Sequence, residues 1–305
     1  AGVTLAYAEK KGSTTASIGD EAATGAATQV TLDNDTLRVQ ADRSGRVKAK
    51  ATAGAGGILS GSGADARATD GGLVQALVGN SVEVDSTGGK VEVSATATPQ
   101  TDASALGINI GAGSVGASLA TARSNATVAA KLGAGTDITA AILDVLATRN
   151  IGAAPSALAK ATGASGGLLF GINATVAKAE STGTSSALVG DNSTLTVSGM
   201  ATIKADSNSQ QTSSGEGFSA GFIAVGADYS YANSDTLTQA VLGDGVKATG
   251  GTLQVLAESA DAQPLSQDFD WSPRLSVHRP VYRQSFQAGE YFALVGLEEV
   301  LTEVQ

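Results

Sequence analysis

Apolar and polar residues alternate in five short runs spread along the chain, LRVQAD, VEVSAT, LDVLAT, ATIKAD and LQVLAE. Aligned on Val39, Val93, Val145, Ile203 and Val255, all five carry alanine two residues later, at Ala41, Ala95, Ala147, Ala205 and Ala257. Two residues earlier stand Leu37, Val91, Leu143, Ala201 and Leu253, and between these positions lie mostly polar residues such as Arg38, Glu92, Asp144, Thr202 and Gln254. Leu146 and Leu256 break the rule. A period of two about a β-branched centre predicts a strand with one buried face.

The runs belong to a longer internal repeat. A glycine opens an apolar, small-residue stretch at Gly2, Gly61, Gly116, Gly171 and Gly226, and a second follows in ASIGD, ALVGN, AKLGA, ALVGD and AVLGD, at Gly19, Gly79, Gly133, Gly190 and Gly243. The alanine-rich stretch GASLATARSNATVAAKL invites a helix, but its counterpart GADYSYANSDTLTQAVL is rich in residues that weaken one, so strand is the prediction for both. Turns are expected at GDN (190–192) and GDG (243–245). A unit of about 55 residues with so few large apolar groups cannot cover a core alone and must bury its faces against neighbouring units. The expected fold is therefore all-β, a parallel β-solenoid of five imperfect repeats over residues 1–263, with units starting near 2, 61, 116, 171 and 226. Two or three turns of chain per unit at about 4.8 Å each would make a rod of roughly 50–70 Å. The first unit carries an insertion around EAATGAATQVTLDNDT, which suits an outer loop.

From Pro264 the landmarks cease. Residues 264–305 hold three of the five prolines, the only tryptophan and the only histidine, and are expected to form a distinct C-terminal cap or interaction segment. Its candidate end-joining or partner-contact residues are the aromatics Phe269, Trp271, Tyr282, Tyr291 and Phe292 and the basic group Arg274, His278, Arg279 and Arg283. A solvated loop is the plainer reading of the basic group.

Composition narrows the function. Aromatics make up 4 %, glycines number 39, and a formal net charge of -10 opposes a phosphate-backbone ligand, so nucleic acid is not an expected partner. With no cysteine there is neither a disulfide framework nor a thiolate metal site, and the single His278 excludes a two-histidine zinc site. No long apolar run predicts membrane insertion, and no basic leader precedes Ala1, which reads as the start of an excised or processed segment.

Units of the form GASLATARSNATVAAKLGAGTDITA followed by LDVLATRN resemble the repeat regions of very large secreted bacterial proteins, the filamentous haemagglutinin-like and leukotoxin-like filamentous adhesins. The resemblance spans residues 1–263. It implies a β-solenoid shaft at the bacterial cell surface or in an extracellular biofilm matrix, acting as stalk, adhesin or fibre, with a host or neighbouring cell surface or a glycan as partner. It carries no catalytic residues.

Strings that mimic enzyme motifs have plainer readings. GAGSVG (111–116) matches a dinucleotide-binding glycine pattern with Asp137 at the right offset, yet it overlaps the repeat-opening glycine. GASGG (163–167) around Ser165 matches a nucleophile elbow without the α/β alternation that motif needs. Asp20, Asp191 and Asp244, with Asn80 in the same place, suggest calcium, but turn formation accounts for them. The threonine pairs Thr194/Thr196 and Thr236/Thr238 raise an ice-binding array, a reading weakened by the unequal residues of other units. The expectation is a non-enzymatic structural and adhesive protein with no cofactor and no metal site, self-associating head to tail. A carbohydrate-active enzyme on a parallel β-helix is the alternative, and an ice-binding solenoid a lesser one.

Overall fold

The computed structural model describes residues 1–22, 27–152 and 155–261. These form fifteen strands and no helix. All pairings among the strands are parallel, an all-β architecture consistent with a β-solenoid. The domain boundary expected at residue 263 and the nine contact residues proposed beyond it, Phe269 to Phe292, lie outside the described residues.

Register follows the sequence landmarks closely. Val39 pairs with Val93, Val93 with Val145, Val145 with Ile203 and Ile203 with Val255, each step one unit along the chain. The chain thus returns to the same seam once per unit. With the five runs paired in sequence, one per unit, the seam spans about 20–25 Å, shorter than the roughly 50–70 Å rod expected from two or three turns of chain per unit. The opening glycines align less well: Gly2, Ser62, Gly116, Asn173 and Gly226 form one column, leaving Gly61 one residue and Gly171 two residues out of register.

Each pass has two parts with different interiors. The first is a body. It is built from β2 (Ser13–Ile18), β5 (Leu73–Val78), β7 (Thr127–Leu132), β10 (Thr184–Val189) and β14 (Leu237–Leu242) in one sheet, facing strands that include β8 (Asp137–Arg149), β11 (Thr194–Ser209) and β15 (Lys247–Asp261). Its core holds Val74, Val91, Val93, Ile138, Leu143, Val145 and Ile203, with the inward alanines of the first four runs, Ala41, Ala95, Ala147 and Ala205; Ala257 of the fifth is exposed.

The second part is an arm. In β4 (Leu37–Asp70) the chain runs outward, reverses and folds back on itself, so that Ala49, Ala51 and Ala53 meet Ala64, Ala66 and Ala68. The same happens within β6 (Val82–Ser124) and β9 (Ala157–Ser181), where Ala103 and Ala105 share the layer with Ala120 and Ala122, and Ala159 and Ala161 with Ala177 and Ala179. β12 (Gln211–Ala220) and β13 (Ile223–Ser234) continue the two arm sheets by pairing β9, and β1 (Gly2–Lys10) pairs β4 at the other end. An alanine side chain fills little volume, so two sheets whose inner faces are almost wholly alanine approach closely and form a thin fin.

A polar band separates body from arm. Arg43 forms a buried ion pair with Asp70, and the fully buried Arg149 donates to the Ser124 carbonyl at 3.1 Å and to Ser181 Oγ at 2.8 Å. Gly72 and Gly183 lie against these two guanidinium groups, where a β-carbon would collide.

Candidate functional site

The distal edge of the arm departs from the solubility pattern of the rest of the surface. Strands run outward with inward alanines and outward small or apolar residues, then reverse at Gly57–Leu59, Gly111–Gly113, Gly167–Phe170 and Gly221–Ile223. Around these reversals no pass carries a charge: residues 51–64, 103–122, 161–177 and 217–227 contain no Asp, Glu, Lys or Arg. At the reversals the alternation itself lapses. Adjacent large apolar residues appear instead, as Ile58–Leu59, Leu168–Leu169 and Phe222–Ile223.

These pairs and Ile110 are all more than half exposed, with Ile58 at 82 %, Leu168 at 81 % and Phe222 at 78 %. Successive passes place them along one ridge. At about 25 cal/mol per Å² and about 1.5–3 kcal/mol per fully buried side chain, they present on the order of 500 Å² of apolar surface. That is at the upper end of the largest patch on an ordinary monomer. Ala112 leaves a dip in the ridge, and the Phe170 ring lies over Gly113, which has no side chain to obstruct it.

Beside the ridge lies a groove of about 530 Å³, lined by Ile108, Ile110, Leu168 and Phe218 over Ala164, Gly166 and Gly167. Register explains its shape. Ile108, Ala164 and Phe218 stand in one column, so a methyl group sits between two large side chains. The next column holds Ile110, Gly166 and Ala220 and deepens the same notch.

Beneath this surface the alanine layer gives way to polar side chains, each opposite a glycine. Asn109 lies over Gly116, Asn173 over Gly163 and Asp228 over Gly217, and in each case a β-carbon on the glycine would collide with the amide or carboxylate. Asp228 accepts from Thr175 Oγ1 at 2.5 Å and from the Gly217 amide at 3.0 Å. Ser114 and Ser165 hydroxyls are 2.6 Å apart. Large-against-small pairing keeps the fin thin at its tip as alanine does at its base.

The enzyme-like strings resolve into this framework. GAGSVG (111–116) forms a reversal inside β6 rather than a strand-to-helix turn, and Ser165 is buried inside the arm rather than raised on an elbow. The proposed calcium acids build turns: Asp20 Oδ1 accepts from the Ala22 amide, Asp191 Oδ1 from the Asp244 amide and Asn80 Oδ1 from the Ala134 amide. No group of three or more His, Cys, Asp or Glu side chains fit to hold a metal ion occurs among the described residues. One column does read Thr139, Thr196 and Thr249, but Thr31 and these are joined by Asp85, and the neighbouring column places Thr194 between Asp137 and Lys247. A charged column beside the threonines spoils a flat ice-matching array.

Several outward charges elsewhere are paired across passes. Lys90 bridges Glu92 at 2.9 Å and Asp144 at 2.7 Å, and Lys204 bridges Asp206 at 3.2 Å and Glu258 at 2.7 Å. The Lys90 hydrogen bond holds the Glu92 carboxyl below the usual glutamate range, while Asp144 and Glu92 together raise Lys90 above the usual lysine value.

None of the apolar edge was singled out from the sequence. Its signal is there all the same, in GGILSG, GGLLFG and AGFIAVG, where two adjacent large apolar residues next to glycine recur at the repeat period and break the alternation. The class these features define is a parallel all-β protein with an exposed, uncharged, apolar edge. The chain matches no protein-family model, no curated protein and no solved structure.

Proposed function

We propose that this chain is a non-catalytic structural and adhesive segment, a β-solenoid of five turns with one unit of about 55 residues per turn, displayed at a bacterial surface or in an extracellular matrix. The observation that carries the reading is the unbroken column Val39, Val93, Val145, Ile203 and Val255, repeated at the interval of the sequence units. A stack built this way gains stiffness from backbone hydrogen bonds between turns and solubility from ion pairs on its flanks. Its specific contacts are made by surfaces, through the apolar edge and the strand edges that are left unpaired among the described residues at β1 and β15. The setting at a cell surface rests on the resemblance of the repeats to filamentous adhesins.

Open turns invite stacking of one molecule on the next, because unpaired strand edges template further strands. Electron microscopy of the full chain, together with light scattering over a range of concentrations, tests this. The expected result is end-to-end assemblies that lengthen with concentration and show an axial repeat of about 4.8 Å. Compact particles whose mass stays constant at all concentrations would refute the fibre-forming part of the proposal.

A further inference from the structure

We infer that the apolar edge of the arm is the site at which two copies of this chain pair side by side, the ridge of each seated in the groove of the other. This goes beyond stacking through the ends, and it uses a different surface.

Three observations converge on a second copy as the occupant. The first is self-complementarity. The ridge offers Leu168, Leu169, Phe222 and Ile223, and the adjoining groove has a floor of Ala164, Gly166 and Gly167 between walls of Ile108, Ile110 and Phe218. Knob and socket lie side by side on one molecule, so a two-fold axis brings each onto its counterpart, as an isologous contact requires. The second is area. Each copy would bury on the order of 500 Å² at this edge, ridge and groove wall together, and the pair removes about 1,000 Å² from water, which reaches the lower bound of a specific interface.

The third is charge. A chain of formal net charge -10 repels its own copies, and the distal arm is where every pass lacks a charged residue over at least eleven positions, 217–227 being the shortest run. Approach there meets the least repulsion. A lipid surface fits less well: the same runs contain no Lys or Arg to meet anionic headgroups, and a bilayer has no rigid knobs to fill a groove.

Sedimentation velocity of the full chain tests the inference. A dimer is expected as the smallest assembly at concentrations below those at which end-to-end joining lengthens it, and Leu168→Ser/Phe222→Ser should weaken it at least tenfold with an unchanged far-UV spectrum. Ala164→Phe, which fills the groove and leaves the ridge intact, should do the same, and it decides the matter should the double variant misfold. Because the chain has no cysteine, Leu168→Cys mixed with Ala164→Cys under oxidation should yield a disulfide-linked heterodimer. A wild-type monomer, a dimer indifferent to these changes, or flotation with neutral phosphatidylcholine vesicles that the ridge variants abolish would each overturn the inference. End-to-end joining grows without limit whereas edge pairing stops at two, so the failure of either is distinguishable from failure of the other.

Discussion

A β-carbon placed on Gly133 would lie 2.5 Å from the carbonyl carbon of Gly79, and one on Gly190 would lie 2.5 Å from that of Gly133. These glycines stack through successive passes, each amide donating to the residue before the previous landmark, as Gly133 does to Val78 and Gly190 to Leu132. The obstruction is backbone, so no rotamer change relieves it. Gly133→Ala should cost about 2 kcal/mol or more in urea unfolding, whereas Gly166→Ala, whose β-carbon meets only the Asn109 carbonyl at 3.9 Å, should stay within about 0.5 kcal/mol of wild type. Two residues beyond the landmark the backbone is left-handed, at Ser81, Gly135, Asn192 and Gly245, which is the turn chemistry that GDN and GDG signalled. At the same scale, Lys90 joins two carboxylates that adjacent strands bring side by side. Since Glu92 has a lowered folded pKa, its contribution is present above the ordinary glutamate value and is lost as pH falls through the lowered one. Lys90 has a raised pKa, so its contribution is full below the ordinary lysine value and is lost as pH rises through the raised one. Melting temperatures of Lys90→Met and wild type should therefore differ at neutral pH, by up to about 1 kcal/mol in stability, and converge in acid.

Elements differ in what they tolerate because their interiors differ in thickness. Ala159 is fully buried between the two arm sheets, and a leucine there must push them apart, at a cost of about 1–3 kcal/mol. In the body, Ile203 is fully buried among Val145, Leu143 and their neighbours, and Ile203→Ala leaves a cavity worth about 2–5 kcal/mol. Chemical denaturation of the two variants compares overpacking in the fin with underpacking in the body. Strand identity and facing were legible in the alternation of LRVQAD and its four counterparts. The arm was not, because runs such as ASALGINIGAGSVGASLATA contain no large core residue to mark which side faces in, and the reversal within them is made by small residues that suit a strand equally well. Its tip was signalled only by paired apolar residues, which in a single sequence read as core.

For the whole molecule, strand pairing joins each unit only to the units before and after it, while a side-chain ion pair, Lys131–Glu21 at 3.2 Å, reaches one unit further. Deleting residues 116–172 joins Val115 to Asn173, the partner of Gly116 in the column, and leaves every remaining pair in phase. That shortened chain should keep a β-sheet circular dichroism spectrum and a cooperative melt. Deleting 116–173 instead shifts all later strands by one residue and turns their inward alanines to solvent, and it should abolish the cooperative transition. Failure of the in-phase deletion to fold would show that the units are not interchangeable in the stack.

Periodicity determined by itself that this protein is built of parallel strands with a shared seam, because a side chain's face in a strand depends only on residue parity and the parity of all five runs agrees. The landmark glycines and the Asn and Asp turns were likewise local matters of backbone conformation, decided within a few residues. What only the tertiary structure decided was how far the chain travels before it meets itself. That distance, one unit rather than a third or a half of one, depends on whether small-residue stretches bend early into narrow coils or run out and fold back as a fin, a choice set by packing between sheets that no single stretch encodes. The uncharged apolar edge follows from it, since residues more than fifty positions apart become a ridge only when successive reversals stack.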